Sequence, residues 1–265
     1  MVWGRASVPG RSSAAQPLDA YRRADECQVL EFPAMKTCAA FLLLLSTLVL
    51  AQAAEVEITS EPHHHLALEN SYVRVFKVEV PPHQSTLVHW HRHDYMFVTL
   101  GASDVESAPK DQPPVRLKLQ DGQAEYTPAP RVHAARDLAD TPFRNVTIEF
   151  MKDAEAHKAT PAGWDPDRGL SVLHGGTIDI LFVKDGARVS EVDLDPGGVI
   201  PRHTHTGPHL VVAVTDLDLQ SDVAGKPPAH LQVQSGDIRW VEGGLTHAVT
   251  NVGKQKSRFI IIEFH

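Results

Sequence analysis

A shift of 114 residues superimposes the two halves of this chain without a gap, and no other feature limits its fold as much. The shift carries Arg74 onto Arg188, Val75 onto Val189, Val78 onto Val192, Pro82 onto Pro196, His89 onto His203 and His91 onto His205. It persists through Pro113-Pro114 on Pro227-Pro228, Gly122 on Gly236, His133 on His247 and Ile148-Glu149-Phe150 on Ile262-Glu263-Phe264. Chance matching does not hold one offset across loops, so the chain reads as a duplicated domain whose copies fold alike.

What each copy folds into follows from its period. Val73-Arg74-Val75-Phe76-Lys77-Val78-Glu79-Val80 alternates apolar and polar residues, as does Arg188-Val189-Ser190-Glu191-Val192-Asp193-Leu194, the pattern of a strand with one face buried. Pro81-Pro82, Asp121-Gly122, Asp195-Pro196-Gly197-Gly198 and Ser235-Gly236 punctuate the halves with turns. No long capped segment of helical period follows residue 54. The expected class is all-β, and each copy has about the size of one jelly-roll barrel, two antiparallel sheets closed around a pocket. The expected organisation is a barrel over 54–159, a Pro/Gly-bearing linker at 160–169 and a second barrel over 170–265.

The first 53 residues fit neither barrel. From Met35, one positive residue (Lys36), an apolar stretch from Phe41 to Ala51 and Ala51-Gln52-Ala53 form a secretory signal pattern over 35–53. The stretch is shorter than the ~20 apolar residues that span a bilayer, so no anchor is expected in the mature form. Residues 1–34 read as a disordered or non-physiological extension, and the product as secreted or periplasmic. Cys27 and Cys38, the two cysteines, both precede the expected mature start, which leaves no disulfide framework or thiol catalyst there. A net charge of −8 without a basic run argues against nucleic acid as a partner.

All 16 histidines follow residue 62, and they carry the chemistry. His203, His205 and His209 share strand parity, and His247 arrives from a later strand. Imidazole is the commonest metal-binding side chain, and several buried together need a cation or hydrogen-bond partners. Here the sequence resembles the cupin family. Gly197, His203 and His205 fall on that family's first motif, with His209 at its Glu position and Asp216 at its final Gly. Gly236, Gly244, His247 and Asn251 fall on its second motif, with Glu242 in place of Pro. The N-terminal copy keeps His89, His91 and His133 but has His83 for the first Gly, Tyr95 for Glu, Pro130 for Gly and Asp137 for Asn.

The resemblance implies a bicupin with inward-facing histidines, and a homodimer. The principal metal site is expected at His203, His205, His209 and His247, and a second at His89, His91 and His133, with Tyr95 as a pocket residue. The bound ion would be a divalent transition metal, Fe, Mn, Cu, Ni or Zn, which neutral imidazoles do not choose among. Glu149 and Glu263, between apolar neighbours, either orient a ligand histidine or face solvent. His63-His64-His65 reads as surface or strand-edge sequence, because three adjacent residues cannot share one face. The resemblance spans dioxygenases, isomerases, epimerases, decarboxylases and non-enzymatic binding proteins, and fold does not choose among them. Two readings follow: a metal-dependent dioxygenase or other oxidoreductase acting on a small organic molecule, and a non-catalytic protein that binds metal or a small ligand. No general base beside the metal is evident in the sequence.

Overall fold

A computed structural model of the chain describes residues 54–151, 170–184 and 186–264, all within one compact unit. The extension, the signal pattern, the linker and both cysteines lie outside the described residues.

In the N-terminal half, the alternating segment forms β3 (Val73–Val80), flanked by β2 (His64–Glu69) and β10 (Phe143–Phe150). β5 (Tyr95–Thr99) and β8 (Ala124–Thr127) complete this sheet in the order β2-β3-β10-β5-β8. The facing sheet runs β1-β4-β9-β6-β7, made of β1 (Val56–Glu57), β4 (His89–His91), β9 (Arg131–Asp137), β6 (Ser103–Pro109) and β7 (Val115–Leu119). Two five-stranded sheets closing on each other make the expected jelly roll.

The C-terminal half repeats this design with one fusion. β12 (Ala187–His205) runs through both sheets, serving as the counterpart of β3 and β4 together, and β11 (Leu170–Lys184) pairs along it. Its other strands are β13 (His209–Ala213), β14 (Leu217–Val223), β15 (Ala229–Val233), β16 (Ile238–Val241), β17 (Leu245–Asn251) and β18 (Ser257–Phe264). Strand pairing preserves the duplication residue by residue. His64 pairs with Val78 as Ile178 does with Val192, His89 with His133 as His203 does with His247, and His91 with Arg131 as His205 does with Leu245. The turn after β3 shows what the copies tolerate: Gly197 adopts a φ of 78°, and its counterpart His83 adopts 60°, a region that strains a side chain with a Cβ.

Three apolar clusters hold the unit. One lies in the N-terminal barrel and comprises Ile58, Phe76, Val78, Val80, Val105, Leu119 and Phe143. Another fills the C-terminal barrel with Leu194, Ile200, Leu217, Leu219, Val249 and Phe259, and Ile178 packs against it. The third draws on both halves, with Val75, Met96, Ile148 and Phe150 against Val189, Leu210, Ile260 and Phe264. β10 is therefore covered on both faces, and all its residues are buried except Arg144. Ion pairs Lys77–Asp237 and Arg258–Asp121 rim this contact. Among the described residues no helix is long and apolar enough to cross a membrane.

Candidate metal centres

The sequence places His89 and His91 two residues apart on β4, with side chains on one face, and β9 brings His133 opposite His89. β12 and β17 do the same for His203, His205 and His247. In each barrel one nitrogen from each of these three rings lies within 4.8 Å of the others. Nε2 of His91 stands 3.2 Å from Nε2 of His89 and 3.2 Å from Nε2 of His133. In the other barrel, His203 and His205 bring their Nε2 atoms to 2.9 Å.

The opposite ring edges explain why these separations suit a cation. Nδ1 of His89 donates to the Leu87 carbonyl at 2.9 Å, and Nδ1 of His203 to that of Pro201 at 2.7 Å. A carbonyl only accepts, so the proton sits on Nδ1 and a neutral ring presents a bare lone pair at Nε2. Nδ1 of His205 donates to Glu263 at 2.8 Å, with the same result. Converging lone pairs repel unless a cation lies between them. Metal–nitrogen bonds of about 2.0–2.1 Å place adjacent ligands roughly 3.0–3.4 Å apart, close to the spacings seen. Nε2 of His247 is buried with no hydrogen-bond partner, which also fits a ligand set, and Nδ1 of His209 is likewise buried and unpartnered.

Outer contacts repeat across the duplication but differ in quality. Ser221 meets Nδ1 of His247 at 2.8 Å, whereas Ser107 stands 3.4 Å from that of His133. Glu263 binds His205 and accepts from Arg188 Nε at 2.8 Å; Glu149 faces His91 at 3.5 Å and accepts from Arg74 at 3.3 Å. Both glutamates are thus turned toward triad histidines and not toward solvent. Burial raises the Glu149 carboxyl to about 7. Burial pushes Glu263 up as well, but His205 and Arg188 hold it below its ordinary value. Burial drives His89 down to about 4, His91 and His133 well below the ordinary range, and His209 and His247 to about 4. Rings kept neutral in this way are ready to coordinate.

The fourth position of each set is a ring. Tyr95 stacks on His91 with centroids 3.7 Å apart, and His209 stacks on His205 at 4.0 Å. His209 thus abuts the C-terminal triad through its ring face and is not one of the three convergent nitrogens.

A cavity of about 330 Å³ opens onto the N-terminal triad, the site the sequence ranked second, and Tyr95 lines it. One further wall residue overturns the sequence reading. His64, expected as surface or strand-edge sequence, does lie on the edge strand β2, but its side chain is only 6% exposed; its Nδ1 meets buried Glu61 at 2.5 Å, and its ring lies 4.7 Å from that of His89. Strand alternation turns His64 inward while it leaves His65 exposed. Glu61 accepts in addition from the backbone amides of His63 and Leu87. The pattern of a Glu three residues before a histidine on a strand edge held no signal strong enough to find this pair.

No protein-family model matches the chain. A germin-like protein of Morus alba is 33% identical over 78 residues, which are 29% of this chain and 37% of that protein, so the chain matches little more than a third of that relative. Oxalate decarboxylase from Bacillus subtilis at pH 4.6 superimposes with a TM-score of 0.54 at 14% identity, over 73% of this chain and 68% of that one. A second structure of the same enzyme, from work on its Mn(II) centres, gives 0.54 at 12% identity over 78% and 76%. At such identities the likeness is one of fold. Two tandem jelly rolls, each gathering its motif histidines at one point of its interior, therefore give this chain the cupin fold in its two-barrel form.

Proposed function

We propose that this protein is an exported metalloprotein that binds a divalent transition ion in each barrel, and that its N-terminal barrel carries out metal-dependent oxidation of a small organic molecule. The observation that carries the reading is the convergence of His89, His91 and His133 on a cavity of about 330 Å³, a size suited to a small ligand. A divalent metal held there supplies a Lewis acid with positions left open for small molecules. The chain's own groups do the rest. The Leu87 carbonyl fixes the His89 tautomer, and Tyr95 braces His91 by stacking. Val78, Val80, Phe97 and Phe143 give the cavity an apolar wall that restricts water.

The C-terminal barrel supports a second reading, non-catalytic binding. It has the better-tied triad, but Ile178 and the apolar cluster occupy the interior where the N-terminal barrel has His64. Export through the signal at 35–53 and assembly as a homodimer belong to the same proposal.

Elemental analysis of purified protein should find a transition metal approaching two equivalents per chain, and oxygen uptake with candidate small acids, phenols and thiols should depend on the N-terminal histidines. Protein that retains no transition metal would refute the proposal. Metal without turnover on any substrate would leave the binding reading alone standing.

A further inference from the structure

Among the described residues, the wall of the N-terminal cavity carries one half-buried cation without a counter-charge. Arg131 lines it from β9, paired in register with the ligand His91. Its Nε is buried and has no hydrogen-bond partner, and among the described residues no carboxylate pairs with its guanidinium. The other charged groups on the wall are accounted for. Arg116 is held by Asp104, Lys118 is solvent-exposed, and Glu125 is exposed and bonded to Gln123. A half-buried guanidinium with unused donors is costly to keep and matches a planar oxyanion, to which it can give two parallel hydrogen bonds.

The duplication supplies an internal control. The residue equivalent to Arg131 is Leu245, paired with His205 as Arg131 is with His91. The fold and the triad therefore do not require a cation at this position, since the C-terminal barrel builds both with leucine. The charge belongs to what the N-terminal cavity receives.

We propose that Arg131 anchors the ligand of the N-terminal barrel, and that this ligand is a small molecule bearing a carboxylate, whose other polar end meets the metal held by His89, His91 and His133. The proposal rests on the metal-binding reading above and narrows its substrate to organic acids. Arg131 fixes the carboxylate by a bidentate pair, and a cavity of about 330 Å³ has room for a small organic acid.

The test uses Mn(II)-loaded full-length mature protein with malonate as the probe and malonamide as its uncharged analogue, read by calorimetry and by the Mn(II) electron paramagnetic resonance signal. Malonate should bind and perturb the signal, and malonamide should not. Arg131→Leu, which installs the residue of the C-terminal barrel, should retain Mn(II) and the thermal midpoint but weaken malonate roughly tenfold or more, and Arg131→Lys should weaken it less. Should Arg131→Leu fold poorly, the Lys variant and the malonate–malonamide difference in the unaltered protein still decide. Equal affinity for malonate and malonamide, or unchanged malonate binding in Arg131→Leu, overturns the proposal. Failure to take up Mn(II) is a different result, which counts against the metal reading; Arg131-dependent thermal protection of the metal-free protein by malonate then decides the anchor by itself.

Discussion

The two barrels share a backbone, a register and a histidine triad, and they differ in what surrounds it. In the C-terminal barrel the outer contacts are short and the interior is apolar, with Ile178 and Leu245 beside the triad. In the N-terminal barrel the outer contacts are longer, and the same two places hold His64 and Arg131 around a cavity. One copy has invested in holding the rings and the other in receiving a molecule. Duplication makes such division possible, because the barrel's stability comes from apolar strands that neither triad disturbs.

Removing ligands is the strongest way to break this comparison. His89→Ala with His133→Ala should remove one metal equivalent, and His203→Ala with His247→Ala the other, each with the fold retained by circular dichroism. Loss of both equivalents from either pair would show that the centres are not independent.

Packing should separate the barrels next. Leu194→Ala, in the filled C-terminal interior, should cost about 2–5 kcal/mol in denaturant unfolding. Leu117→Ala, on the wall of an existing cavity, should cost clearly less, since part of its surroundings is already open. Equal costs would mean that the cavity is not maintained in solution.

The glutamates sharpen the contrast further. Glu263→Gln should lower metal affinity of the C-terminal centre by roughly 10–100-fold, because it loosens His205 and Arg188 together. Glu149→Gln should do less at the N-terminal centre, where the carboxylate stands 3.5 Å from His91. Competition with a chelator measures both.

The smallest effect is on the pH dependence of the metal-free protein. His89, His209 and His247 are held at about 4 against an ordinary 6.5. Between those values the unfolded chain binds more protons, so stability falls as the pH is lowered from 6.5 toward 4. Glu263, held low, also loses its contribution on acidification. Glu149, raised to about 7 from 4.5, runs the other way: its contribution is full below 4.5 and is lost as the pH rises through 7. Melting temperatures between pH 4 and 8 should therefore fall toward acid, and more steeply in Glu149→Gln.

The sequence by itself determined the duplication, the all-β class and the triads. Each is encoded locally or by repetition: alternation fixes which residues share a face, and two histidines two apart on a strand must point together. Tyr95 and His209 were visible because they occupy one motif position. Tertiary structure alone decided the rest. Glu149 and Glu263 looked equally able to face solvent, and only packing of one barrel on the other buries both faces of their strands. His64 looked like a surface histidine because its significance depends on Glu61 and on a β2 register that places it against His89. Arg131 carried no motif at all. A free cation is recognisable only when every neighbouring carboxylate is seen to be engaged elsewhere, and that is a property of the closed barrel, since no segment of the chain shows which charges will meet.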